Sequence, residues 1–182
     1  AISRSDARVF FGASGDMAYK KIFPALQALI AHDGFDLPII GVAHSAWTTE
    51  KLRQRAHDSI VQAAKDQGES IDESAFAKLS ARLQYVDGDY NDPATFQLLK
   101  KALGAAQRPL HYLAIPPSLF ATVVKALQQA GCADGARVVV DNPFGRNRPS
   151  APHVNGTLKS APPAASCVRI YHLTGTEAHR HT

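Results

Sequence analysis

Short, predominantly apolar runs alternate along the chain with longer stretches whose apolar residues recur every three or four positions. The runs fall at Val9–Phe11, Ile39–Val42, Leu83–Val86, Leu110–Ile115 and Arg137–Val140. Runs that lack polar alternation mark strands buried on both faces, as in a parallel sheet. Between them the spacing predicts helices over Ala18–His32, Thr49–Gln67, Ser74–Ala81, Pro93–Leu103 and Leu119–Gln129. Asp92-Pro93 reads as an N-cap with proline at the first helical position, and Ser70-x-x-Glu73 as a capping box. The expected fold class is α/β, a doubly wound parallel sheet in three layers, α/β/α, with ligands beyond the carboxyl ends of its strands.

The join between the first strand and the first helix carries the chemistry. Arg8 to Pro24 runs from an apolar strand through Gly12-Ala-Ser-Gly-Asp-Met-Ala18 to Lys20 and Lys21. Glycine permits a tight turn and a close approach of backbone to a pyrophosphate, and the unpaired N–H groups opening a helix attract that anion. Gly12, Gly15 and Ala18 form G-x-x-G-x-x-A, a variant of the Rossmann dinucleotide fingerprint. Ala13 completes the loop, Ser14 offers a hydroxyl, Asp16 and Met17 offer amides, and Lys21 adds charge if its helix face turns toward the ligand. An ordinary strand-to-helix turn with a solvated lysine face would use the same residues.

After Gly145 the periodicity gives way to a stretch rich in Pro, Ala, Ser and Asn, from Arg146 to Cys167. Residues 1–145 are therefore expected to form a dinucleotide-binding domain. Residues 146–182 are expected to be a linker-like tail, with a short run at Val168–His172 that can return as a sixth strand.

Composition narrows the partners. At 182 residues the chain suffices for one domain with a substantial core. A net charge of +4 favours anionic ligands, but no Lys/Arg run is dense enough for nucleic acid. No apolar run reaches the ~20 residues that cross a bilayer, so no membrane role is expected. Two cysteines, Cys132 and Cys167, are too few for a disulfide scaffold, and no signal-peptide pattern precedes the first strand, which makes the cytoplasm the expected location. The opening Ala1 leaves processing, trimming and membership of a longer protein all open.

Four segments in order resemble the N-terminal coenzyme domain of the glucose-6-phosphate dehydrogenase family over most of the chain. They are Gly12 to Ala18 with Lys20-Lys21-Ile-Phe-Pro24, Gly41-Val-Ala-His-Ser45, Tyr112-Leu-Ala-Ile-Pro-Pro-Ser118 and Asp141-Asn-Pro-Phe-Gly-Arg146. A weaker match is Arg169-Ile-Tyr-His-Leu-Thr-Gly-Thr-Glu177, similar to the family's Arg-Ile-Asp-His-Tyr-Leu-Gly-Lys-Glu. The resemblance implies NADP as cofactor and hydride transfer from C1 of glucose 6-phosphate. It implies coenzyme contacts at Gly12 to Ala18, Lys21, His44, Ser45, Ala114, Phe120 and Asn142, and substrate contacts at Asn142 and His172. It also implies that the diproline Pro116-Pro117 shapes the loop under the coenzyme and can hold a cis peptide.

Departures from the family pattern concern both ligands. At the end of the second strand a carboxylate ordinarily selects NAD and an arginine selects NADP. Here Gly41-Val-Ala-His44-Ser45 has neither, and an imidazole is only fractionally charged at neutral pH and lacks arginine's two-pronged fork. NADP with weakened discrimination is the expectation; His44 as a plain loop residue is the competing one. Phe120 replaces a family tyrosine and offers packing only, as a core residue of its helix would. Toward the sugar, Asn142 stands for a lysine, Tyr171 for an aspartate and Thr176 for a lysine. Each lost preorganised donor costs roughly 2 to 4 kcal/mol of transition-state stabilisation, and the family's catalytic histidine belongs to a C-terminal domain beyond the matched segment.

No catalytic residue is assigned, and no metal site either, because Cys167, His172, His179 and His181 fit no tight zinc spacing. This chain alone is expected to be inactive on sugar. Two readings remain: the coenzyme domain of a glucose-6-phosphate dehydrogenase-like oxidoreductase, and a non-catalytic NADP-binding sensor or accessory module. A homo-oligomer is compatible with either, although the family's dimer contacts lie outside the match.

Overall fold

The computed structural model describes residues 5–34, 36–141, 158–160 and 168–173. Five strands run parallel: β1 (Ala7–Phe11), β2 (Ile39–Ala43), β3 (Leu83–Asp87), β4 (Pro109–Leu113) and β5 (Arg137–Asp141). Two more, β6 (Leu158–Ser160) and β7 (Val168–Leu173), pair antiparallel with each other, and β7 runs antiparallel to β5. The order across the sheet is β3-β2-β1-β4-β5-β7-β6. Winding therefore starts at β1, moves out to β3, and returns across β1 to β4, which leaves the topological switch between β1 and β4. This is the doubly wound arrangement the apolar runs imply; β6 has no counterpart in the pattern.

Helices cover both faces. On one, α1 (Phe23–Asp33), α2 (Thr49–Asp66) and α3 (Glu73–Arg82) enclose Phe10, Ile39 and Leu83. On the other, α4 (Pro93–Leu103) and α5 (Phe120–Gln129) pack over Val9, Phe11, Val42, Leu113 and Val138. Phe10 and its neighbours Val9 and Phe11 thus face opposite layers, as period-two side chains of a doubly covered strand must.

Three local expectations are corrected. The helix expected over Ala18–His32 opens as a π-helical turn at Ala18–Ile22 before α1 begins. Pro24 lacks an N–H to give Lys20 and its ring crowds that carbonyl, so the backbone widens. The Phe23 amide then bonds to Ala18 O rather than Tyr19 O. The released Tyr19 carbonyl accepts the Ser59 hydroxyl from α2, and the Arg55 guanidinium lies 4.3 Å over the Tyr19 ring. The capping box at Ser70 is replaced by Asp72, whose carboxylate accepts the Ala75 amide and which stands directly before Glu73. The fourth strand ends at Leu113, so Ala114 and Ile115 belong to the loop beyond it. Asp92 caps α4 as its sequence indicates, accepting the Ala94 amide.

Candidate functional site

At the carboxyl end of β1 the chain turns under the end of β4. The Gly12 amide bonds Val42 O at 3.0 Å, the Ala13 amide bonds the same oxygen at 3.1 Å, and the Ala114 amide bonds Phe11 O at 3.0 Å. These bonds carry the sheet ladder into the loop and seat it at the switch point. Gly12 has φ +83°, and a Cβ there would lie 2.1 Å from Ala114 O. Only glycine fits.

Gly15 differs. Its φ is ordinary, and the nearest atom to a Cβ there is Gly12 O at 3.4 Å. The fold does not require glycine at this exposed position.

The helical conformation begins at Asp16, with the Gly15 amide closing the turn onto Gly12 O and the Tyr19 amide reaching Gly15 O. The amides that open the helix therefore sit directly after the glycine loop, where an anion is favoured by unpaired N–H groups and by the helix dipole. Ala13 and Ala18 are fully buried beneath the loop, and Asp16 is exposed at its rim. Lys21 lines a cleft of about 320 Å³ with Arg8, Phe10, Leu110 and Tyr112, on the α1 face of the sheet.

The loop after β2 closes the other side. His44 and Ser45 are exposed, and Ser45 Oγ pairs with Ser14 Oγ at 2.6 Å, tying this loop to the glycine loop. Ala114 is half-buried against Gly12. Phe120 is only 6% exposed and belongs to the core cluster that includes Val123, Val124 and Leu127. Pro116 is extended and Pro117 opens a 3₁₀ turn, Pro117–Leu119; no peptide bond among the described residues is cis. Proline suits that opening position because its missing N–H is not needed there.

Asn142 and Thr176 lie outside the described residues. Tyr171 and His172 are on β7, opposite Val138 and Arg137 of β5.

Three contributors escaped the sequence reading. Tyr90 Oη accepts the Gly12 amide at 2.9 Å and donates to Val42 O at 3.3 Å, and burial pushes its phenol up in pKa. Asp87 accepts the amides of Ser45 and Ala46 from the neighbouring strand, and Tyr85 donates to it. Tyr90 and Asp87 act across long separations in the chain, and Tyr85 also reaches Ala43 O on the neighbouring strand, so no local pattern signals them.

Comparison with known proteins gives a consistent picture. The family model described as "Glucose-6-phosphate dehydrogenase, NAD binding domain" matches residues 9–180. A glucose-6-phosphate 1-dehydrogenase 1 of Mycobacterium bovis is 37% identical over 173 residues, covering 95% of this chain and 36% of that protein. A crystal structure of the glucose-6-phosphate 1-dehydrogenase of Mycobacterium avium superposes with a TM-score of 0.73 at 40% identity, over 83% of this chain and 32% of that one. A glucose-6-phosphate dehydrogenase solved in complex with its substrate glucose-6-phosphate gives a TM-score of 0.68 at 27% identity, over 85% and 34%. This chain thus spans about a third of the length of the relatives it matches.

Proposed function

The chain belongs to the glucose-6-phosphate dehydrogenase family, in its NAD binding domain, and from that premise we propose that its glycine loop holds the pyrophosphate of NADP. The carrying observation is the seating of Gly12 under Ala114 at the switch point, with the helix opening at Asp16 immediately beyond. The residues suit the group: small side chains beneath, open glycine at Gly15, helix amides for the diphosphate, and the Ser14–Ser45 pair toward the ribose. The bound coenzyme supplies the hydride acceptor. This chain's own residues bind and orient it: Asp16 and Met17 through amides, Ser14 and Ser45 through hydroxyls, and His44 toward the adenosine end. The division at 145 into a coenzyme unit and a tail, and the sugar contacts at Asn142 and His172, belong to the same proposal.

Hydride transfer from glucose 6-phosphate is the reaction of the whole enzyme in this reading. Asn142, Tyr171 and Thr176 in place of two cationic groups and a carboxylate favour a second reading, in which the chain binds NADP without turning over sugar. Titration decides the first point. Trp47, the single tryptophan, stands in the loop after β2, so its fluorescence reports binding of NADP and NAD. Both should bind, and Gly15→Asp should weaken both by about tenfold or more while leaving the far-UV circular dichroism unchanged, since a carboxylate there meets the diphosphate. Absence of binding by either coenzyme would sink the proposal. Incubation with NADP and glucose 6-phosphate should form no NADPH above background; turnover would refute the argument from the substituted groups.

A further inference from the structure

The turn that follows β2 is held from the adjacent strand rather than by its own residues. Asp87 ends β3 opposite Ala43, which ends β2. Its Oδ1 accepts the Ala46 amide at 2.8 Å, the Ser45 amide at 3.1 Å and the Tyr85 hydroxyl at 2.6 Å. Ala46 lies at φ +55°, a left-handed conformation that a residue with a Cβ adopts only when its surroundings hold it there. Two consecutive amides on one carboxylate oxygen supply that hold. Tyr85 in turn lies 3.1 Å from Ala43 O and 6.5 Å, ring to ring, from Trp47, over which Lys51 sits at 5.7 Å. Ser45, clasped from one side by Asp87, meets Ser14 of the glycine loop on the other.

This clasp is a charge as well as a brace. The Tyr85 hydroxyl, against some desolvation and helped by the Ala46 and Ser45 amides and by His44, keeps the Asp87 carboxyl below the usual carboxylate range. Asp89 is also held low, first by Asn91 and further by His44. His44, which stands where the family pattern places an arginine, directly precedes the Ser45 amide held by Asp87 and lies within electrostatic reach of both carboxylates, and Lys51 is engaged with Trp47. A third anion brought to this spot, such as a 2′-phosphate, meets repulsion that a bare 2′-hydroxyl does not.

We propose that Asp87 is a specificity-determining residue for the coenzyme: by locking the 44–47 turn and fixing a negative charge beside His44, it disfavours the 2′-phosphate and brings NAD close to NADP in affinity. This rests on the coenzyme reading above and extends it to a residue that the β2 end does not contain. The usual acidic selector sits at the tip of the second strand; here the charge arrives from the third strand and acts through the turn it organises.

The test is the pair of dissociation constants for NADP and NAD measured on the full chain, wild type and Asp87→Asn. Asparagine keeps an oxygen for the Ser45 and Ala46 amides and removes the charge. NADP should bind about two- to fivefold more tightly, the range that one exposed charge commands, with NAD affinity unchanged. Added salt should shrink the gain, because screening weakens a charge effect and leaves a shape effect alone. Asp89→Asn, which leaves the clasp intact, should shift the ratio in the same direction by less. Should Asp87→Asn lose its fold by circular dichroism, Asp87→Ser is read in its place. An unchanged ratio, or equal weakening of both coenzymes, would overturn the role of Asp87 while leaving coenzyme binding standing. Failure of the wild type to bind either coenzyme would refute the coenzyme reading and this proposal together.

Discussion

Gly12 and Gly15 share one loop, yet the fold asks different things of them. Gly12 is required by the protein itself, through a left-handed φ and the carbonyl of Ala114 packed against it. Gly12→Ala should therefore destabilise the folded chain by about 3 kcal/mol or more, with coenzyme or without, as read by urea unfolding. Gly15 is under no such constraint from the fold, and its substitution should leave the urea midpoint near the wild-type value. The turn was legible because its glycines fall on neighbouring residues of one short segment. Tyr90 and Asp87 were not, since Tyr90 reaches Gly12 from the end of β3 and Asp87 reaches Ser45 across the ladder. The β2 end itself carries no carboxylate, and the sheet supplies one from beside it.

At the scale of elements, apolar periodicity located the five α-helices and the five parallel strands among the described residues, with ends displaced by a few residues. The displacements have local causes. Pro24 turns the start of the first helix into a π turn, and α2 accepts the consequence by supplying Ser59 to the freed Tyr19 carbonyl. Asp72 outcompetes Ser70 as the cap of α3 because it lies one residue before the helix and reaches the Ala75 amide at 3.0 Å. Asp72→Ala and Asp92→Ala should each cost about 1 kcal/mol of stability, while Ser70→Ala should stay within about 0.5 kcal/mol of wild type, as measured by thermal unfolding. A cost at Ser70 equal to that at Asp72 would restore the capping box.

Across the whole molecule, two cores share one sheet, and the winding places its switch between β1 and β4, where Gly12 and Ala114 meet. Deep in one of these cores lies His111 of β4, fully buried against Phe11, its Nε2 directed at Cys132 O at 3.3 Å and its Nδ1 without a partner among the described residues. Burial depresses its pKa from 6.5 to about 4, so the native state excludes the proton that the unfolded chain takes up. Stability from this group is complete above pH 6.5, falls as the pH drops through the window from 6.5 to 4, and falls no further below it. The loss should approach about 3 kcal/mol by urea unfolding across that window, and His111→Asn should flatten the slope.

No helix among the described residues is long and apolar enough to cross a membrane. By itself the sequence determined the layered class, the helices and parallel strands, and the glycine turn after β1, because each is written in neighbouring residues whose spacing obeys local geometry. Only the tertiary structure decided which strand lies beside which, and so which carboxylate holds the Ser45 and Ala46 amides, which phenol braces Gly12 and which backbone carbonyl forbids a side chain there. Those contacts join residues far apart in the chain, and they exist only once burial of the two core faces has brought the strands into register.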